Sequence, residues 1–310
     1  MKRSREITLT AVLLSSAVLF AQNHAQAALQ SQKSNAQKLL LDSVRCDKLD
    51  VTGVKTALDL GADPNWVSNT DSSVIGTLVS GSGCWQYEHV EKPEQKGVEI
   101  LQILLKEGAR GQLDAADALF NPICYGYALF TGALFDSGHF SPTREIEGMT
   151  PMDIAARCGR TNIIELLQKH GAAALEPKEA AQLRLIGAAG DHDIPGMEDA
   201  IDAGADVNES TRQGETALVE ATSMMGYKEW DSASVLYLLK KGADPAIQGS
   251  ESAKDSRLKT TALHLVIQSS SYVLDKKHQE DQEGKDRALR AVSVIKALLQ
   301  HGALVSARDY

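Results

Sequence analysis

Aromatic side chains are scarce in this 310-residue chain: Phe, Tyr and Trp together make up 5 % of it. A core so poor in rings has to be built from Leu, Ala and Ile, which suits packed helices. Cysteine occurs four times and never as C-x-x-C, so the usual ligand spacing of zinc sites and thiol-redox motifs is missing. No basic excess exists. Lys and Arg number 32 against 41 Asp and Glu, a net charge of −9, which argues against a general nucleic-acid binder that must displace counterions from phosphate. The sequence holds no G-x-S-x-G, no H-E-x-x-H, no phosphate loop ending in Lys-Ser/Thr and no EF-hand spacing, so none of those enzyme or metal classes is indicated. With 43 % hydrophobic and 24 % charged residues, the composition is globular and excludes both full-length disorder and a polytopic membrane protein.

The N-terminus carries Lys2-Arg3-Ser4-Arg5, an apolar run from Ile7 to Ala21, and then Ala25-Gln26-Ala27. A positive start, an apolar stretch and a small-x-small site form the layout of a secretory signal peptide. The run falls short of the roughly 20 residues that span a bilayer, and no cysteine near the site offers a thiol for lipid attachment. Residues 1–27 are therefore expected to be removed and 28–310 to form the mature protein, in the periplasm of a bacterium. Losing Lys2, Arg3, Arg5 and Glu6 takes the net charge from −9 to −11. That charge favours basic partners and disfavours anionic headgroups, so no membrane insertion is expected after cleavage.

One short pattern recurs through the rest: an apolar pair, two or three polar or small residues, then Gly, often as Gly-Ala-Asp. It closes at Gly61, Gly108, Gly138, Gly171, Gly204, Gly242 and Gly302, spaced 47, 30, 33, 33, 38 and 60 residues apart. Each Gly follows an amphipathic helical stretch, where a residue able to enter the left-handed region is expected. The start of the unit is visible as Thr150-Pro151-Met152-Asp153, as Thr216-Ala217-Leu218 and as Thr261-Ala262-Leu263-His264. Thr can cap the first helix, and Pro at the next position costs no hydrogen bond.

With these two ends and this period the chain resembles the ankyrin-repeat family, whose unit begins Thr-Pro-Leu-His and closes on a Gly-Ala-Asp hairpin. The resemblance covers about 39–310, with 148–174 as the cleanest copy. It implies an all-α ankyrin-repeat solenoid of about seven helix-turn-helix repeats joined by hairpin loops. Asp50-Val51-Thr52-Gly53-Val54 and Asp193-Ile194-Pro195-Gly196-Met197 match beyond the consensus, and both run into Gly-Ala-Asp, as a duplicated block would. Two insertions interrupt the period, one before Gly108 that holds Cys84-Trp85-Gln86-Tyr87 and one before Gly302 that holds the charged stretch from Asp275 to Gly284. Insertions of this kind map to loops on one face, often the binding face.

An even cysteine count in an exported protein suggests two disulfides, although Cys is also a common buried filler. Of the three possible pairings, repeat register favours Cys46–Cys84 and Cys124–Cys158, each joining neighbouring repeats at the same height. Asp191-His192-Asp193 falls where such a repeat turns between its helices and reads as a solvated turn rather than a metal site. His264 occupies the position that ties hairpins together, and His170 and His301 suit helix C-termini. No catalytic residue, metal or cofactor is expected.

By the same resemblance, hairpin tips and the exposed side of the first helices form the binding surface. The expected contact residues are Trp66, Asn69, Asp71, Glu145, Glu147, Arg212 and Gln213 on hairpins, with Arg157, Glu220 and Gln268 on first helices. Trp85 and Tyr87 in the first insertion are interface anchors by residue type; Tyr227 and Trp230, in or near an insertion, either act the same way or cover an enlarged inter-helix core. The partner is expected to be another protein, with a basic contact patch. Exported ankyrin-repeat proteins of this size and acidity resemble immunity partners of type VI secretion lipase effectors. The alternatives are a periplasmic scaffold or peroxide-defence partner, and an enzyme with an unrecognised site. The sequence leaves the oligomeric state open.

Overall fold

The computed structural model describes residues 2–67, 73–86, 90–110, 119–146, 148–212, 214–223, 232–250, 259–273 and 282–304. Among the described residues the α-helices fall into seven consecutive pairs. They are α1 (Lys2–Ser43) with α2 (Val51–Asp59), α3 (Val74–Gly81) with α4 (Pro93–Lys106), α5 (Phe120–Cys124) with α6 (Ala128–Asp136), and α7 (Pro151–Arg157) with α8 (Thr161–Lys169). Then come α9 (Pro177–Gly190) with α10 (Ile194–Asp202), α11 (Ala217–Ser223) with α12 (Ala233–Lys240), and α13 (Ala262–Val273) with α14 (Gln282–Gln300). All seven closing glycines have positive φ, between 72° and 103°, the left-handed conformation that ends a helix and starts a hairpin. A short addition to the all-α expectation lies in the hairpin after α12, where β1 (Gly249–Ser250) pairs antiparallel with β2 (Lys259–Thr260).

Helix starts follow the sequence signals. Thr150 Oγ1 accepts from the Asp153 amide at 3.2 Å, while Asp153 Oδ2 accepts from the Thr150 amide at 2.8 Å. This is a reciprocal capping box, and Pro151 occupies the first helical position. Asp50 and Asp193 cap α2 and α10 by accepting from Gly53 and Gly196.

The chain divides into two compact units. Unit 1 is Met1–Ala118 with Asp136–His139, and unit 2 is Leu119–Phe135 with Phe140–Tyr310. In unit 1, α1 packs on α2 and α3, and α4 packs on α2 and α3. From Gln22 onward, Gln22–Asn35 are exposed and Ala36 is the first buried residue, and the expected cleavage point after Ala27 falls inside this helix. Among the described residues, no helix is long and apolar enough to cross a membrane. In unit 2 the first helices stack in order, α5 on α7, α7 on α9, α9 on α11 and α11 on α13, while α10 packs on α12 and α12 on α14. The core between them is built from Leu185, Ile186, Met197, Leu218, Val235, Leu238, Val266 and Leu298, all buried. From α9 onward it is mostly small and branched aliphatics, while Phe130 and Phe135 of α6 are buried nearer the start of unit 2.

The structure joins Cys46 to Cys84 and Cys124 to Cys158, with Cα–Cα distances of 6.0 and 5.2 Å. Each bridge ties the end of one first helix to the end of the next within its unit. Both separations sit inside the range a disulfide spans without moving the backbone.

Candidate functional site

Three successive first helices of unit 2 meet at their C-terminal ends. Arg157 ends α7, Gly187 and Gly190 lie in the last turns of α9, and Glu220 lies on α11. The helices approach so closely that a Cβ at Gly187 would stand 2.0 Å from the Arg157 carbonyl oxygen. A Cβ at Gly190 would stand 3.0 Å from Glu220 Oε1. Both glycines are therefore spacers that let a charged side chain lie across α9. Arg157 does so: its two terminal nitrogens donate to Glu215 Oε2 and Glu220 Oε1, each at 2.7 Å. The side chains are 13 %, 4 % and 15 % exposed for Arg157, Glu215 and Glu220. Thr211 Oγ1 donates to Glu215 Oε2 at 3.2 Å and accepts from the Glu215 amide at 3.3 Å.

The carboxylates outnumber the cation here. Burial raises Glu220 above the ordinary carboxylate value, Glu215 and Asp191 push the same way, and Arg157 only partly opposes them. Burial works against the Arg157 charge, yet Glu220 and Glu215 together hold its pKa above the usual arginine value. Arg157 stays ionised, and Glu220 binds a proton more readily than a free carboxyl does.

Beside this cluster lies a groove of about 420 Å³, walled by Phe120, Tyr125, the Cys124–Cys158 bridge, Arg160, Asp191 and Glu220. A second cavity of unit 2, about 320 Å³, lies where the start of α9 meets the next hairpin, with Lys178, Glu179, Glu209 and Arg212 on its walls. Unit 1 has a cavity of about 610 Å³ between α1 and the first hairpin, lined by Lys33, Gln37, Lys38, Asp63 and Trp66.

The expected contact residues do not gather into one site. Trp66 is half-buried and lines the cavity of unit 1. Glu145 and Gln268 are exposed. Arg212 is 60 % exposed at its tip position but is engaged with Asp153 and Glu179, both at 2.9 Å. Three expectations need correction. Trp85 is 2 % exposed, packed against Gly97 of α4, where a Cβ would lie 2.3 Å from Trp85 Cη2. The first insertion thus fills the core of unit 1 with its indole instead of presenting it. Arg157 and Glu220 are partners of each other and not open contact groups. Asn69, Asp71, Tyr87, Glu147, Gln213, Tyr227 and Trp230 lie outside the described residues, as does Asp275–Asp281 of the charged insertion.

Asp193 both caps α10 and pairs with Arg184, and His192 takes a left-handed φ of 57°, so the Asp-His-Asp run is a turn. His264 Nδ1 lies 2.7 Å from Thr261 Oγ1. Sequence reasoning missed Phe120, Tyr125 and Asp191 as groove residues, Glu215 as the ion-pair partner of Arg157, and Gly187 and Gly190 as spacers. The available signal was the glycine pair inside a helix, which usually marks a close approach.

The ankyrin repeat family model matches residues 147–176, the segment that holds α7 and α8. Among solved structures, the chain is similar to the human ASB11 ankyrin repeat domain, with 18 % identity over 81 % of this chain and 96 % of that one and a TM-score of 0.42. It is also similar to the ankyrin repeat domain of Bcl-3, with 18 % identity over 73 % of this chain and 92 % of that one and a TM-score of 0.34. No curated protein matches the sequence. The fold is an array of helix pairs, and the pair α7–α8 is the one that matches the ankyrin repeat.

Proposed function

We propose that the mature chain is an exported, non-enzymatic protein-binding array, and that it neutralises a secreted toxin, of the lipase-effector type, by covering the toxin's active-site mouth. The observation that carries the binding role is the ankyrin-repeat match at 147–176, set in a series of helix pairs that all close on a left-handed glycine. Ankyrin repeats are protein-interaction modules, and a stack of first helices offers a surface while supplying no chemistry of its own. Export is supported by the basic start, apolar run and Ala-Gln-Ala site of the leader. Two disulfides suit an oxidising compartment. The acidic balance would speed encounter with a basic patch around an enzyme's mouth and set on-rate more than affinity.

The test mixes purified mature protein with the product of the neighbouring gene and follows hydrolysis and binding together. One-to-one inhibition is expected, with faster association at low salt, and the periplasmic protein should begin at Ala28. Binding without inhibition would favour the scaffold or stress-protection reading. No binding, together with resistance of gene-deleted cells to attack by sister cells, would end the immunity reading.

A further inference from the structure

We propose that the outward face of α14 docks an acidic amphipathic helix of a partner protein, a contact separate from any that covers an enzyme. Other second helices of the chain turn polar side chains to water: Glu99 and Gln102 on α4, Glu165 and Gln168 on α8, Glu198 and Asp202 on α10. α6 and α12 each expose one leucine, Leu129 and Leu236. On α14 the outward positions hold Leu289, Val292 and Leu299, all exposed, with Leu289 at 67 %. Leu289, Val292, Lys296 and Leu299 follow one another at helical neighbour spacing, so they form one ridge. The aliphatic stem of Lys296 continues it between the apolar groups. Single exposed apolar side chains are ordinary, whereas a contiguous apolar strip marks a contact.

The shape of the occupant follows from the packing. α10 packs on α12 and α12 on α14, so helices already lie side by side in this layer, and a ridge of this spacing fits the groove of one more. Its charge follows from the lysines. Lys285 begins the ridge and Lys296 lies within it; both are exposed, and among the described residues neither enters an ion pair. From Lys285 to Gln300 the ridge bears no carboxylate. Asp286 lies off it, half-buried, and accepts from Gln282 Nε2 at 2.9 Å. A basic, apolar ridge therefore stands on a chain of net charge −9. A second copy docked ridge to ridge would gather lysines with nothing to offset them. An anionic membrane would gain only three apolar side chains, because Ala291, Val294 and Leu298 of the same helix are buried in the core, and the chain's net charge would oppose the approach. A partner helix satisfies both features if it lays apolar side chains along the ridge and carries two carboxylates three turns apart, about 16 Å along its axis, to meet Lys285 and Lys296.

The probe is a fluorescein-labelled, hydrocarbon-stapled helix of about five turns, with a leucine stripe and two glutamates three turns apart; the control peptide has lysines in place of the glutamates. Anisotropy titration with the mature protein should saturate with the glutamate peptide and be at least about fivefold weaker with the lysine peptide. Leu289→Ser, at an exposed position, should weaken binding about tenfold, with circular dichroism and the urea midpoint unchanged. Lys285→Glu/Lys296→Glu should reverse the preference and make the lysine peptide the tighter ligand, which an unspecific apolar surface would not do. Titrations that do not saturate, equal binding of the two peptides, or binding undiminished by Leu289→Ser would overturn the proposal. So would binding to phosphatidylglycerol vesicles, or a concentration-dependent dimer, that Leu289→Ser abolishes, since the ridge would then be a membrane contact or a self-contact. The occlusion reading stands or falls on inhibition of the neighbouring gene's product, which Leu289→Ser should leave unchanged. A matching loss of inhibition would place that enzyme on the ridge and overturn the separate contact.

Discussion

Units 1 and 2 build their hairpin seams from the same parts and brace their helices by different ones. In unit 1, Gln37 Nε2 donates to the Asp63 carbonyl at 3.2 Å and Gln37 Oε1 accepts from the Asp63 amide at 2.9 Å. In unit 2, Gln182 does the same with Asp206 at 3.1 and 3.0 Å. Asn65 then donates to the Gly108 carbonyl at 3.0 Å and accepts from the Arg110 amide at 2.7 Å. Asn208 repeats this with Gly242 at 3.0 Å and Asp244 at 2.8 Å. The matched blocks beginning at Asp50 and Asp193 therefore share a working seam as well as a sequence. The bracing differs. Unit 1 is closed at the first insertion by a buried indole against a helix glycine, and unit 2 by a buried ion-pair cluster laid across helix glycines. The seam is portable because it needs only neighbouring hairpins, whereas the brace is particular to each place.

Breaking the two braces should produce the largest effects. Arg157→Leu would leave Glu215, 4 % exposed, without its counter-charge, and a stranded buried charge costs about 3–5 kcal/mol. Trp85→Ala would empty the insertion's contribution to the core of unit 1, with an expected loss of about 3–5 kcal/mol. Equilibrium urea unfolding of the mature protein measures both. A loss under about 1 kcal/mol for either would mean that its unit is held chiefly by something else.

Glycine spacers sharpen the contrast. At Gly187 the added methyl meets backbone, the Arg157 carbonyl, which cannot rotate away. At Gly97 it meets the far edge of the Trp85 indole, a side chain packed in the core. Overpacking of this kind costs about 1–3 kcal/mol, and Gly187→Ala should lie at the upper end and Gly97→Ala lower. The reverse order, measured by the same unfolding midpoints, would mean that α7 and α9 separate more easily than the indole turns.

This difference also explains what could be read from the sequence. Hairpins, caps and closing glycines are local, so Thr150, Asp153 and Gly171 announce themselves within a few residues. Neighbouring first helices end at matching heights, which is why repeat register pairs Cys46 with Cys84 and Cys124 with Cys158 as the structure does. The brace is not local. Arg157 reaches partners 58 and 63 residues on, across an intervening helix, and no periodicity reports that α9 is bare enough to let it pass. Trp85 was legible as an aromatic in an insertion, but residue type alone does not say whether an inserted ring turns inward. The groove was illegible for the same reason, since Phe120, Asp191 and Glu220 come from three different repeats.

Acid titration tests the ionic brace more gently. Glu220 has a folded pKa above its unfolded value, so between the two the folded state binds more protons, and stability falls as pH rises through that window. Glu220→Gln removes the titration but keeps an acceptor for Arg157. Its stability relative to wild type should therefore rise with pH through the mildly acidic range and level off above the folded pKa. Urea midpoints taken from pH 4 to 8 would show this. A relative stability that instead falls with rising pH would mean that the Arg157 pair outweighs burial and the neighbouring carboxylates.

The smallest expected effect tests the shared seam. Asn65 and Asn208 each bridge two hairpins by one donated and one accepted hydrogen bond, and both sites are exposed. Water can replace part of what is lost, so Asn65→Ala and Asn208→Ala should each cost about 1–2 kcal/mol. The informative quantity is their difference. If the seam is a self-contained device, the two losses agree within about 0.5 kcal/mol and add in the double variant, because the sites share no partner. A loss confined to one unit, or a double variant far from the sum, would show that the identical bonds draw their strength from the unlike braces behind them.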